Sequence, residues 1–304
     1  MTDLARDRVS VVLPYYNRPD TLLEAAGSVL EQTHRDLVLY LVNDGSADDS
    51  RQVARSLDDP RIVHIDLESN RGVSHARNVG LAVADTELVA FMDSDDVWLS
   101  HKLETQTKHL RELQRHDESI SVVGCGWRMY DSDSPAKEFR PGPYSRIDVL
   151  RDQVAGIGTP MLLVNRSVAA ENARFDEALP ALVDRDYVMS CLANGTMVQV
   201  IPEILALVRR GRRDHVASSQ RAAAAYEVLI GKYGHDFDEL PSLGSWYAYR
   251  ATREHLIHRD LRSAVKHLGA ALAERRARRS VHLLLALVAG RKGLALAQRV
   301  APID

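Results

Sequence analysis

Cysteine is nearly absent from this chain of 304 residues: Cys125 and Cys191 are the only two, and both sit inside apolar patterns rather than at paired metal-ligand spacing. A disulfide framework is thereby excluded, and two reduced core thiols of a cytosolic protein are expected. Long hydrophobic runs are lacking as well. The opening Met-Thr-Asp-Leu-Ala-Arg-Asp-Arg has no apolar stretch of the signal-peptide kind, and residues 281–289 fall far short of the roughly 20 residues that a membrane-spanning helix needs. Aromatic residues are 6% of the chain and form no basic-aromatic module, so nucleic acid is not an expected partner. Low-complexity tracts and long repeats are missing. Net charge is small, −3, but it hides an asymmetry: residues 261–304 carry nine Lys or Arg against Glu274 and Asp304, a net +7, which leaves −10 for the rest.

What is present is a core. With 45% hydrophobic residues the chain can build one large α/β domain plus an appendage. A short apolar strand is predicted over residues 9–13, a loop from Pro14 to Asp20, and a helix to about Gln32 on the spacing of Leu22, Leu23, Ala26, Val29 and Leu30. The pattern repeats. A second strand covers 37–42, and Ser46 with Asp49 has the spacing of a capping box opening a helix to about Leu57. A third strand covers 61–66, a helix 74–84, and a fourth strand 87–92 runs into Asp93, Asp95 and Asp96. Strands alternating with helices predict a mostly parallel sheet flanked by helices, whose ligands bind outside the carboxyl ends of the strands. Tyr16, Asp44 and residues 93–96 all fall just past such ends, so three loops are expected to meet in one crevice.

Further on, residues 100–115 read as a charged, exposed helix, 119–130 as a strand, 132–144 as a loop, 147–154 as a helix and 159–164 as a strand. A helix over 183–194 is ended by Asn194-Gly195 and has Asp184 and Asp186 in its first turn. Strands at 197–201 and 204–208 complete the β content, and helices follow near 219–233, 243–258, 260–275 and 280–299. This divides the chain into an α/β domain over 1–217, with one half near 8–97 and the other near 98–217, and a basic helical subdomain over 218–304.

Three carboxylates at one strand end repel each other, so the cluster reads either as an Asp-rich turn capping the next helix or as a cation site. Asp44 can accept the imide N–H of a uracil-type base, and Tyr16 offers a ring for that base to stack on.

Four ordered stretches, Val9-Ser-Val-Val-Leu-Pro-Tyr-Tyr-Asn17, Val42-Asn-Asp-Gly-Ser46, Asn70-Arg-Gly72 with Ala76-Arg-Asn78 and Gly80, and Met92-Asp-Ser-Asp-Asp96, resemble the donor-site motifs of family 2 glycosyltransferases of the GT-A fold. The resemblance covers about residues 8–215. It implies metal-dependent, inverting transfer of a sugar from a nucleotide-sugar, UDP-linked, to a hydroxyl acceptor on a glycan, a lipid-linked saccharide, a natural product or a peptide. Donor contacts are then expected from Pro14, Tyr15, Tyr16, Asn17, Asp44, Arg77, Asp93 and Ser94. Asp93-Ser94-Asp95 resembles the family's DXD motif, with Asp95 and His215 as ligands of Mn²⁺ or Mg²⁺; Asp96 is assigned to the fold. Asp184 is the expected base, with Asp186 as its rival, although Val183 stands where the family commonly has an acid. Arg210, Arg213, Trp127, Gly158 and Thr159 are candidate phosphate or acceptor contacts.

The basic tail could meet an anionic membrane surface, an acidic peptide or a partner subunit, which would place the protein in the cytoplasm, peripheral at the inner face of the membrane. Two other functions compete. Nucleotidyl transfer also uses an Asp pair and a metal on a parallel sheet, but no Gly-rich, Lys-bearing phosphate loop follows the first strand. A degenerate transferase kept as a binding module is favoured only by Val183.

Overall fold

The computed structural model describes residues 7–134, 138–151, 153–209, 215–239, 241–257 and 260–272; for 215–219, 237–239, 241, 269, 270 and 272 the description is of the backbone alone. The chain forms two compact units, one holding residues up to Glu177 and again from Val183, the other holding Ala178–Leu182 and the helices from His215 onward.

The first unit is built on one sheet whose order is β3-β2-β1-β4-β7-β6-β8-β5. Its strands are β1 (Val9–Tyr15), β2 (Leu37–Asn43), β3 (Ile62–Asp66), β4 (Leu88–Phe91), β5 (Val97–Trp98), β6 (Ile120–Met129), β7 (Leu163–Asn165) and β8 (Met197–Val208). Around it lie α1 (Leu22–Leu30), α2 (Ser50–Arg55), α3 (Val73–Val83), α4 (Lys102–Gln114), α5 (Arg146–Leu150) and α6 (Val183–Cys191). Every residue of β1 and β2 is buried, as expected of parallel strands covered on both faces. Strands β3, β2, β1 and β4 are mutually parallel, and their registers align Tyr15 with Asn43 and Asn43 with Asp66, so these three strands end level. The chain winds from β1 outward to β3 on one side and returns to β4 on the other. That puts a topological switch point between β1 and β4.

The other half of the sheet is mixed: β4–β7, β7–β6 and β8–β5 pair antiparallel, and β6–β8 pairs parallel. Several elements differ from the sequence expectation. β1 runs on through Pro14 to Tyr15. The Val12 carbonyl accepts from Met92 on the β4 side; Pro14, two residues on, faces the same way beyond the end of β4, where its missing N–H leaves no ladder bond unmade. Ser46 and Asp49 form no capping box: the Ser46 hydroxyl accepts the Asn17 N–H instead, and α2 starts at Ser50 without a side-chain cap. α4 is charged but not free in solvent, since Lys102, Leu103, Gln106, Thr107 and Leu110 are buried along one face. Residues 159–161 form a 3₁₀ turn around Pro160, and the strand starts only at Leu163. The two strands expected near 200 are one, β8, with an irregularity where Pro202 and Glu203 have no partner between Ile201 and Ile204.

In the second unit, α7 (His215–Lys232), α8 (Gly234–Glu239), α9 (Pro241–Ile257) and α10 (Leu261–Leu272) pack together. Tyr226 and Tyr247 meet edge to face at 5.8 Å, and Glu227 on α7 receives His255 of α9 and His267 of α10 at 3.3 and 3.0 Å. The helix expected over 280–299 lies outside the described residues. Among the described residues no helix is long and apolar enough to cross a membrane.

Candidate functional site

The site is assembled around the carboxylate of Asp44, which follows β2. Its backbone N–H donates to Tyr15 O at 2.9 Å, and its two oxygens accept the N–H groups of Arg71 at 2.8 Å and Gly72 at 2.9 Å. Asp44 thus ties the exits of β1 and β2 to the start of α3. Gly45 permits the approach: its φ is +68°, and a Cβ there would lie 2.5 Å from the Ser69 carbonyl carbon. Asn17, itself at φ 50°, closes the same corner by accepting from Ala47 N at 3.0 Å.

These loops enclose a cavity of about 240 Å³ lined by Pro14, Tyr15, Tyr16, Asp44 and Ser94. The three loops expected to converge are therefore found together. Tyr16 is 42% exposed and can offer a ring face, whereas Tyr15 is buried and desolvation pushes its hydroxyl up to about 12. Four further residues line it: Asn70 and Gly72, which belong to the third motif, and Arg18 and Val73, which went unassigned in the sequence. Arg18 could have been suspected as a polar neighbour of a motif position, but nothing in the pattern marks Val73, which becomes a wall only because α3 starts there.

Beside the cavity lie the carboxylates. Asp93 Oδ1 accepts from Arg77 Nη2 at 2.5 Å. Arg77 is 3% exposed, its guanidinium lies 5.1 Å from the Phe175 ring centre, and its Nε and Nη1 have no hydrogen-bond partner. A buried guanidinium with idle donors is suited to an arriving anion. Asp95 is held above the usual carboxylate range by burial and then by Asp93, with Arg18 Nη2 at 3.9 Å pulling the other way. Burial, then Asp93, pushes Asp96 up to about 8, and its Oδ1 accepts the Arg209 N–H at 2.9 Å, joining this loop to the end of β8. Arg209 also stacks on Tyr130 at 3.8 Å and pairs with Glu24.

No group of three or more His, Cys, Asp or Glu among the described residues is arranged to hold a metal. The chemistry of the donor set nevertheless fits a hard divalent cation. Two clustered carboxylates, one of them raised by burial and then by its neighbour, supply the few protein oxygens that Mg²⁺ or Mn²⁺ takes when phosphates and water complete its shell. The side chain of His215, and the whole of Arg210 and Arg213, lie outside the described residues.

Asp184 stands in the first turn of α6, right after Leu182, whose φ is 61°. It is half-buried, its Oδ1 accepts Arg185 N at 2.9 Å, and its Oδ2 faces the Gly158 backbone, where a Cβ would come within 3.6 Å. Its rival Asp186 is fully buried. Thr159, next to Gly158, is buried too, and Trp127 is half-buried against the main core.

Fold and site together define an α/β protein with a nucleotide-type crevice at the switch point of its sheet. Residues 10–172, more than half of the chain, match glycosyl transferase family 2, and the chain belongs to that family. A relative from Escherichia coli, the UDP-Glc:α-D-GlcNAc-diphosphoundecaprenol β-1,3-glucosyltransferase WfgD, is 38% identical over 161 residues, which are 53% of this chain and 61% of WfgD. The first curated relatives matched are spanned over only 15% to 61% of their own length. Among solved structures, Staphylococcus aureus TarS 1–349 in complex with UDP-GlcNAc superposes with a TM-score of 0.66 at 18% identity, covering 97% of this chain and 90% of TarS 1–349. The mannosyltransferase PcManGT from Pyrobaculum calidifontis, in complex with GDP-Man and Mn²⁺, gives 0.61 at 20% identity, covering 97% and 86%. At these identities the likeness is one of fold, which is of the GT-A type.

Proposed function

We propose that this protein transfers a sugar from a nucleotide-sugar, UDP-linked, to a hydroxyl acceptor with inversion at the anomeric carbon. The observation that carries this reading is the single cavity in which Tyr16, Asp44 and Ser94 meet from three loops beside the carboxylates of Asp93 and Asp95. In it the base stacks on Tyr16 and gives its imide proton's hydrogen bond to a free lone pair of Asp44, and Ser94 and Asp93 take the ribose side. Arg77 turns its idle N–H groups to the diphosphate. Asp95 would hold Mn²⁺ or Mg²⁺, whose charge would offset that of the leaving diphosphate.

The acceptor hydroxyl enters beside Asp184. Its oxygen bonds to the anomeric carbon as the bond from that carbon to the phosphate oxygen breaks, and its proton passes to the Asp184 carboxylate. WfgD's name supports a UDP-sugar donor and a lipid-linked saccharide acceptor. Such an acceptor would also give the basic tail a purpose at an anionic membrane surface, with residues 1–217 as the catalytic part.

Calorimetric titration with UDP in Mn²⁺, and release of UDP from UDP-sugars, test the reading. Binding is expected in Mn²⁺ and should be abolished by EDTA, and Asp95→Ala should lower turnover by about 100-fold or more. Turnover that survives both EDTA and Asp95→Ala removes the metal from the reading.

A further inference from the structure

A lysine is shut inside the first unit. Lys102, in the first turn of α4, has no exposed surface, and burial pushes its ammonium down to about 8. An apolar residue of similar volume would fill the space without that desolvation penalty. Lys102 meets Gln106 and Trp98. Its Nζ donates to Gln106 Oε1 at 2.5 Å, one helical turn on, and lies 4.0 Å from the centre of the Trp98 ring.

Both neighbours act on one short turn. With its oxygen engaged by Lys102, the Gln106 amide can only turn its nitrogen the other way, and Nε2 donates to Val123 O at 2.9 Å and Met161 O at 2.8 Å. Trp98 Nε1 donates to Pro160 O at 2.8 Å. Two successive carbonyls of the buried 159–161 turn are thus held from the 98–106 segment. Just before that turn, Gly158 packs on Asp184: a Cβ there would come within 3.6 Å of Asp184 Oδ2 and 3.2 Å of Met161 Sδ. Trp98, at the other end of the network, closes β5 two residues after Asp96.

We propose that Trp98, Lys102 and Gln106 are positioning residues that lock the turn over 158–161, the wall beside Asp184, to the strand leaving the Asp93–Asp96 carboxylates. The inference rests on the sugar-transfer reading, in which the carboxylates hold the donor and Asp184 takes the acceptor proton. The spacing of the two halves of the site is then set by side chains that touch neither substrate. Displacement of such a wall by about 1 Å can slow a reaction by about 100-fold without weakening donor binding.

Two variants probe this in the full chain. Trp98→Phe removes the indole N–H and keeps a ring beneath Lys102; Lys102→Met removes the charge and the partner of Gln106 Oε1 while keeping volume. Three quantities are read: the dissociation constant of UDP with Mn²⁺, the rate of UDP-glucose hydrolysis without acceptor, and hydrogen exchange at the amides of Met161 and Leu162, which donate to Gly158 O at 2.9 Å and Thr159 O at 3.2 Å. In both variants exchange at these amides is expected to quicken and hydrolysis to slow, each by about tenfold or more, with UDP affinity held within about twofold. Lys102→Met should do so with no loss of melting temperature at pH 7. Parent rates in both variants, or a fall in rate matched by equal losses of UDP affinity and stability, overturn the proposal and leave the sugar-transfer reading intact. A parent chain that neither binds UDP nor hydrolyses UDP-glucose overturns both.

Discussion

Asp184 and Asp186 are two positions apart on one helix, and their surroundings separate them. Asp186 is fully buried, whereas Asp184 is half-buried with one oxygen engaged by Arg185 N and the other beside Gly158. Replacing Asp184 by Asn keeps size and the helix start but removes the proton acceptor. A fall in kcat of about 10² to 10⁴ is expected, with UDP affinity in Mn²⁺ little changed; unchanged turnover would sink Asp184 as the base. Lys102 makes a prediction of another kind. Unfolded, its ammonium keeps the ordinary value of 10.5, and burial brings it to about 8 in the fold. Between those values the unfolded chain binds the extra proton, so stability rises with pH by up to about 1.4 kcal/mol per unit. Relative to Lys102→Met, the parent should therefore gain stability from about pH 8 to pH 10, measured by urea unfolding at each pH. Equal pH dependence in the two proteins would show that Lys102 is not desolvated.

At the scale of elements, α3 does the most to shape the site. Its first residue lines the cavity, Arg77 reaches Asp93, and the Asn78 side chain forms a two-way bridge to the Phe175 backbone, accepting from N at 2.9 Å and donating to O at 2.9 Å. Phe175 in turn lies under the Arg77 guanidinium and stacks on Tyr187 at 4.1 Å. Asn78→Ala leaves backbone groups without partners, which should lower stability by about 1–3 kcal/mol in chemical denaturation and weaken UDP binding through Arg77. The helix itself was legible from Ser74 to Ala84 because apolar spacing is a local signal. The α2 start was misread for the opposite reason. Ser46 and Asp49 have capping-box spacing, but the Ser46 hydroxyl is taken by the Asn17 N–H, a competitor 29 residues away that no local window contains. In the same way β5, two residues long, is a strand only by virtue of its pairing with β8.

For the molecule as a whole, charge is the property with consequences. The net +7 of residues 261–304 against −10 elsewhere predicts that the full chain binds vesicles containing anionic lipid at low salt and is released near 0.5 M salt. A cosedimentation assay with neutral vesicles as control checks it, and equal binding to both would rule out an electrostatic contact.

The sequence by itself determined the alternation of strand and helix in the first hundred residues and the placing of Tyr16, Asp44 and Asp93 to Asp96 at strand ends, because hydrophobic periodicity and abrupt polarity changes are written in neighbouring residues. Only the tertiary structure decided what those residues touch. Asp44 closes on Arg71 and Gly72, Arg77 is buried against Asp93, Asp96 holds Arg209, and a lysine on a charged helix faces the core. Each of these depends on a desolvated polar group finding its partner across the fold. Such a partner is chosen by where the sheet brings distant segments together, and a local pattern carries no record of it.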